Sequence, residues 1–508
     1  MSGRTAFARD ATTNTVRGDS GLWRVVVGIE LHAQINVPHK LFSRAPTSFG
    51  LDPNRCVAPF DAALPGTLPV LNGDCVRRAV HTALALNASV NPVSFFDRKH
   101  YFYADLPAGY QITQHRVPVA SGGHVDLVLD NGARKRVTLA HIQLEQDSGK
   151  SVLGNTVDER LVDLNRAGSA LMEIVSNADL CSADEAGSYV RHMQRLLRAI
   201  DACTANMEQG DLRCDVNVSV NRVDSSAWGK RVEIKNVNSI RFLVSAIEYE
   251  VDRQIALIEA GEQVEQETRA FDSRSSRTVR LRSKEFAADY RFMPEPDVPP
   301  LHITPLSLDA WSRELPPLPA ELQAQLERDC ELAPQDALSV LDEPGALPYL
   351  RRLISCGAPA PLAAKWLLHD VISQARASNV DVARFSLTAD RLSELIACMT
   401  DGSVSKSDAR RVVWPRLLAG DVRSCVAIAK DAGVVTVDRD TLRRACIDAV
   451  ALIGSDADAT KAAKRILQGD EGWLRFFMGR VMRDTKGRAN AQDAHTLLLQ
   501  LIKEQRSL

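Results

Sequence analysis

No stretch of about 18 or more apolar residues occurs in this 508-residue chain, so no helix able to span a bilayer is predicted. An excess of one charge is also missing. Lysine and arginine total 62 against 64 aspartates and glutamates, a net charge of -2, which excludes a global positive field and makes any RNA contact a local one. The ten cysteines form no C-x-x-C pair. Scattered singly, they read as reduced thiols of a large intracellular protein, neither a disulfide framework nor a zinc knuckle. Neither G-x-x-x-x-G-K-[ST] nor G-x-G-x-x-G is present, which excludes a P-loop or Rossmann nucleotide site. No internal repeat and no low-complexity tract stands out. Hydrophobic residues at 45% and charged residues at 25% exclude a disordered or collagen-like chain.

What is present divides into four stretches. Residues 1–22 carry Arg4, Arg9 and Arg17 among serines and threonines with few acids, a composition that fits an organellar transit peptide or a disordered start. Residues 23–305 alternate strand-like and turn-like segments. The prolines at 294, 296, 299, 300 and 305 then break the pattern, and a boundary is expected there. Residues 306–425 have helical spacing, and residues 426–508 form a mostly helical tail. From Lys461 onward the tail holds ten bases against five acids. Arg480, Arg483 and Lys486, with Arg488 beyond, follow helical spacing beside Trp473, Phe476 and Phe477. That is the pattern of a phosphate-contacting face, or of a solvated helix face.

The chemistry is concentrated in short strands with unusual residues on one face. In V-V-V-G-I-E-L-H-A-Q-I, Val25, Val27, Ile29 and Leu31 point one way and Glu30, His32 and Gln34 the other. By the same alternation, Ile142 and Leu144 oppose His141, Gln143, Glu145 and Asp147. Val216, Val218 and Val220 oppose Asp215, Asn217 and Ser219; Val232 and Ile234 oppose Arg231, Glu233 and Lys235. Glu173 stands alone inside the apolar run L-M-E-I-V, a costly placement unless a cation or hydrogen-bond partner compensates it. Each strand singly fits a half-solvated sheet. Together with Glu208 they supply Glu30, Glu145, Glu173, Asp215 and Glu233 beside His32, and their convergence would favour Mg²⁺ or Mn²⁺. Lys99, Arg213 and Lys235 beside them would suit phosphoryl transfer. A helix beginning at Asn238 or Ser239 is predicted next, buried along Ile240, Leu243, Val244, Ile247, Val251, Ile255 and Ile258.

The segments L-P-G-T-L-P-V-L-N (64–72), F-D-R-K-H-Y-F-Y-A-D-L-P-A-G-Y-Q-I-T-Q (96–114), L-E-Q-D-S-G-K-S (144–151), V-D-L-N-R-A-G-S-A-L-M-E-I-V-S (162–176), M-E-Q-G-D-L-R-C-D-V-N-V-S (207–219), E-I-K-N-V-N-S (233–239), Q-E-T-R-A-F-D (266–272) and D-Y-R-F-M-P-E-P-D (289–297) resemble, in order and spacing, the B subunit family of glutamyl-tRNA(Gln) amidotransferases. G-R-V-M-R-D-T-K-G-R-A-N (479–490) is similar to that family's tRNA-contacting tail, while residues 306–425 match more loosely. The resemblance implies an α+β fold: a glutamine-synthetase-like cradle on an antiparallel sheet, followed by all-α helical and tail domains. It implies an ATP- and Mg²⁺-dependent ligase that phosphorylates the side-chain carboxylate of glutamate misacylated onto tRNA(Gln), and an amidation by ammonia from glutamine. The implied partners are an amidase A subunit, a small third subunit and glutamyl-tRNA(Gln).

Carried onto this chain, the resemblance places Glu30 and His32 on the family's E-x-H metal motif and Glu145, Glu173 and Glu233 on its further acidic positions. Lys99 falls beside the ammonia path, and Arg213, Asp215, Lys235 and Asn236 line the same site; no ATP-binding residue is assigned. Two positions depart from many bacterial members: Gln146 and Gln209 replace acids, and the first removes a possible metal or channel carboxylate. Ser43, Ala45, Ala58 and Asp61 stand where many relatives carry zinc-ligand cysteines, so no structural zinc is expected. The spellings E-Q-D-S-G-K-S and R-F-M-P-E-P-D, with the arginine-bearing start, point to the mitochondrial matrix. Two other readings stay open: a free-standing carboxylate-amine ligase, which would not need a basic tail, and a catalytically decayed tRNA-binding scaffold.

Overall fold

The computed structural model describes residues 7–10, 15–47, 49–129, 131–154, 156, 159–283, 289–437, 439–485 and 487–504. The chain forms two compact units, residues 1–322 and 323–508.

The first unit is built on a fifteen-stranded sheet. Its central strand, Leu22–Gln34, is long because β-branched residues at alternate positions suit a pleated, buried surface. On one side it pairs with Leu212–Arg222 and on the other with Ala170–Ser176. The order continues from Ala170–Ser176 to Arg134–Gln146, Tyr110–Thr113 and Asp97–His100, and from Leu212–Arg222 to Val232–Val237, Glu267–Asp272 and Arg277–Ser283. Along this path every pairing is antiparallel except Val232–Val237 with Glu267–Asp272, which is parallel. The expected antiparallel sheet is therefore a mixed one, because the helix Ile240–Glu259 between these two strands returns the chain in the same direction. The α+β class follows from this sheet and the helical second unit.

One face of the sheet is apolar and covered by helices. Val25, Val27, Ile29, Leu31, Ile142, Leu144, Val216, Val218 and Val220 join helices Gly73–Ala85, Ala183–Ala199 and Ile240–Glu259 in one core. Ser239 caps the last helix, its side chain accepting from the Phe242 N–H. Leu243, Ile247, Val251 and Ile255 are buried as expected, while Ile240, Val244 and Ile258 are half-buried at its edge.

Two boundaries differ from the sequence reading. The first unit continues past residue 305, because the helix Pro305–Glu314 places Leu308 and Trp311 against the first core and Glu314 pairs with Arg77 at 3.3 Å. Within residues 1–22, expected to be a transit peptide or disordered, the described part forms strands: Ala8–Asp10 pairs with Thr15–Arg17, which pairs with the central strand and buries Val16.

The second unit is helical among its described residues and holds two separate cores. One runs from Leu326 to Ala429 around Trp366 and Leu392, the other from Leu442 to Ile502 around Phe477 and Leu498. No described helix is long and apolar enough to cross a membrane.

Candidate active site

The uncovered face of the sheet carries the chemistry, and strand pairing decides which residues meet. Across four neighbouring strands, Arg213 lies opposite His32, His32 opposite Glu173, and Glu173 opposite Gln143. Directly paired residues of antiparallel strands share a face, so the four form one row. Asp215 lies opposite Glu30 in the adjoining row. Ligand atoms of Glu30, His32 and Glu173 come within 4.8 Å of one another.

Hydrogen bonds hold these acids in place. Gln143 Nε2 donates to Glu173 at 2.6 Å, and Asn217 Nδ2 donates to Glu30 at 3.2 Å. The Thr113 hydroxyl donates to the buried Glu145 at 3.3 Å, and Glu145 stands 3.9 Å from His32 Nδ1. Burial, reinforced by the Glu145 and Glu30 carboxylates, pushes the Glu173 carboxyl up to about 8, with Lys99 pulling the other way. So many clustered acids need a cation or a proton. His32 Nε2 is buried without a hydrogen-bond partner. An unsatisfied imidazole nitrogen among carboxylates fits a divalent-ion site.

The other site residues divide around this cluster. Lys235 pairs with Asp215 at 2.5 Å and Glu233 at 3.2 Å, brought over Asp215 by the bulge between Cys214 and Val216. Burial works against its ammonium, but the two carboxylates outweigh it and hold its pKa above the lysine range. Glu233 also accepts from the Thr268 hydroxyl at 2.9 Å, and it stands outside the Glu30–His32–Glu173 set. Lys99, on the strand Asp97–His100, lies 4.9 Å from the Tyr290 ring centroid, close enough to bias Glu173. Asn236 lies in the strand Val232–Val237; its side chain is outside the described residues.

Some expectations change. Gln146 lies on the opposite side of its strand from Glu145 and Asp147, where its Oε1 accepts from the Ile112 N–H at 3.1 Å. Its substitution for an acid therefore removes nothing from the carboxylate face. Glu208 is exposed in a turn rather than on a strand. The zinc-ligand positions do converge, on a carboxylate: Asp61 Oδ2 accepts from Lys40 Nζ at 3.1 Å, the Ser43 hydroxyl at 3.1 Å and the Ala58 N–H at 2.9 Å. In the tail, Arg480 and Arg483 lie on the helix Leu474–Asp484, Arg483 and Arg488 are exposed, and Lys486 is outside the described residues. Phe477 is core rather than part of a surface cluster, while Trp473 and Phe476 are partly exposed and Lys461 lies over the Trp473 ring.

Comparison with known proteins decides the family. The family description "GatB/GatE catalytic domain" matches residues 25–309, and "GatB domain" matches residues 349–502. The chain belongs to the B-subunit family of tRNA-dependent amidotransferases. It is 38% identical to the B subunit of the mitochondrial glutamyl-tRNA(Gln) amidotransferase of Phytophthora infestans, over 98% of each chain. It is 41% identical to the B subunit of the aspartyl/glutamyl-tRNA(Asn/Gln) amidotransferase of Acidiphilium cryptum, over 94% of this chain and 96% of that one. The counterpart in Gluconobacter oxydans is 40% identical over 96% and 99%. Strand alternation points to Glu30, His32 and Glu145 and places Gln143 and Asn217 on the same polar faces, while Thr113 is not singled out by it. The roles of Gln143, Asn217 and Thr113 as carboxylate partners depend on which strands are neighbours.

Proposed function

We propose that this chain is the B subunit of a glutamyl-tRNA(Gln) amidotransferase, and that its carboxylate face phosphorylates and amidates the glutamate carried by misacylated tRNA(Gln). The observation that carries the reading is the cluster of Glu30, His32 and Glu173, whose ligand atoms lie within 4.8 Å of one another, flanked by Lys99, Arg213 and Lys235. A carboxylate is a poor electrophile, so the reaction first makes a leaving group. The glutamate oxygen bonds to the γ-phosphorus of ATP and the P–O bond to ADP breaks, its electron pair leaving with ADP. Ammonia nitrogen then bonds to the carbonyl carbon and loses a proton, and the C–O pair departs with inorganic phosphate.

Glu30, His32 and Glu173 would hold Mg²⁺, with Glu145 alongside, and an ion held there would supply positive charge against the phosphoryl oxygens. A dication bound there would favour the ionised Glu173, against the burial and neighbouring acids that raise its pKa. Lys235, paired to Asp215 and Glu233, stays charged and fixes both acids. Lys99 contributes a second positive charge at the edge of the cluster. The antiparallel core of the sheet and its carboxylate-lined face support the expected kinship with glutamine synthetase, and Asp61, at one of the cysteine positions and paired with Lys40, supports a chain without structural zinc. The exposed arginines of the tail support tRNA contact there.

The partners in this reading are an amidase subunit that releases ammonia from glutamine and a small third subunit. A matrix location is a separate part, supported by the Phytophthora relative; finding tagged protein only in cytosol overturns it. The test of function is conversion of glutamyl-tRNA(Gln) by the chain co-purified with its amidase partner, with ATP, Mg²⁺ and either glutamine or ammonium. Glutaminyl-tRNA formed only with ATP is expected. No product from either donor with tRNA still bound would favour the decayed scaffold. Running aspartyl-tRNA(Asn) in parallel defines the substrate range.

A further inference from the structure

Beside the acidic row, one carboxylate holds two guanidinium groups. Asp147 Oδ2 accepts from Arg166 Nε at 3.1 Å and Nη2 at 2.9 Å, and it pairs with Arg213 Nη2 at 2.7 Å. Asp147 Oδ1 accepts from the Ser148 N–H at 3.0 Å. With both oxygens engaged, Asp147 is occupied differently from the metal-ready acids. Its backbone is equally fixed, accepting from the Gly168 N–H at 2.9 Å and donating to Ser169 O at 2.8 Å. Gly168 has φ +81°, and a Cβ there would stand 2.7 Å from Asp61 Oδ1, so only glycine suits the turn that seats Asp147.

The two arginines are not equivalent. Arg166 is held from two sides, donating also to Gln209 O at 3.2 Å and Gly210 O at 3.0 Å. Arg213 has no further hydrogen bond among the described residues, and its side chain is 44% exposed against 5% for Asp147. It stands opposite His32 on the site face. Two cations on one anion leave a net positive charge at the edge of an otherwise acidic surface. A half-free guanidinium there presents a planar fork of donors to an oxyanion.

We propose that Arg213 binds the phosphoryl oxyanion of the reacting group and that Asp147 is its positioning residue, with Arg166 locking Asp147 in turn. The assignment rests on the amidotransferase reading of the site. A free arginine loses rotamer freedom when a ligand immobilises it. Pairing with a buried carboxylate settles that orientation before the anion arrives, and a pre-oriented charge is what stabilises a developing oxyanion.

The test uses the full chain in complex with its amidase and third subunits, following ATP-dependent glutaminyl-tRNA formation with ammonium as donor. Arg213→Ala lowers kcat by about 10²-fold, the cost of losing one oriented oxyanion donor, with KM for glutamyl-tRNA nearly unchanged. Asp147→Asn, which keeps the shape, lowers kcat in the same direction, and the double variant is no worse than Arg213→Ala, because the two act as one unit. Guanidinium ion at millimolar concentration restores activity to Arg213→Ala by docking on Asp147, and it restores none to Arg213→Ala/Asp147→Asn. Equal rescue of both variants, or an Asp147→Asn enzyme within about two-fold of wild type, overturns the assignment. A wild-type complex that makes no glutaminyl-tRNA would instead overturn the reading on which it rests.

Discussion

Glu173 and His32 face each other directly across adjacent antiparallel strands, and burial with neighbouring acids raises the Glu173 carboxyl to about 8. The imidazole leaves Nε2 buried and unpartnered. This pair stores an unmet demand for positive charge in the centre of the sheet.

In the metal-free protein, the raised Glu173 pKa has a definite sign. The folded state holds this proton more tightly than the unfolded chain, whose carboxyl titrates near the ordinary 4.5. The Glu173 contribution is therefore full below that value and is lost as pH rises toward about 8. Thermal midpoints measured in chelator should fall across this window, and Glu173→Gln should flatten the fall; an unchanged slope in the variant would show that other groups carry it.

Glu30→Gln and Lys99→Ala should each abolish amidation while leaving far-ultraviolet circular dichroism and the melting transition intact. Both lie on the uncovered face rather than in the core. Loss of folding in either variant would assign that side chain to the core instead.

Lys40 and Asp61 form a pair with fully buried side chains, and burial pulls the Lys40 ammonium below its usual range despite Asp61. Lys40→Ala leaves a buried charge unmatched and should cost about 3–5 kcal/mol in urea unfolding, while Lys40→Met/Asp61→Leu should cost much less. Elemental analysis should find no stoichiometric zinc in the wild type.

Replacing Arg480, Arg483 and Lys486 together should weaken tRNA binding and lower the slope of log affinity against log salt by about one for each phosphate no longer neutralised. A salt slope that does not move would return this face to ordinary solvated surface.

Much of the site is legible in the sequence because strand alternation is a local property. The period of two that buries Val27, Ile29 and Leu31 necessarily turns Glu30 and His32 the other way. The same period places Gln146 away from Glu145, a consequence the residue-type comparison alone obscures. At the start of the chain composition says nothing of pairing, and Thr15–Arg17, within the arginine-bearing stretch, pairs with the central strand. Proline density likewise marks a break near residue 305, but Leu308 and Trp311 still find the first core.

The sequence by itself determined which residues share a face within each strand, since that depends only on backbone geometry over a few residues. Strand order and register, which are set by how the apolar faces pack under three helices, decided which faces adjoin. Only that tertiary arrangement could bring Arg166 from a turn, Arg213 from one strand and the end of another at Asp147 onto a single carboxylate.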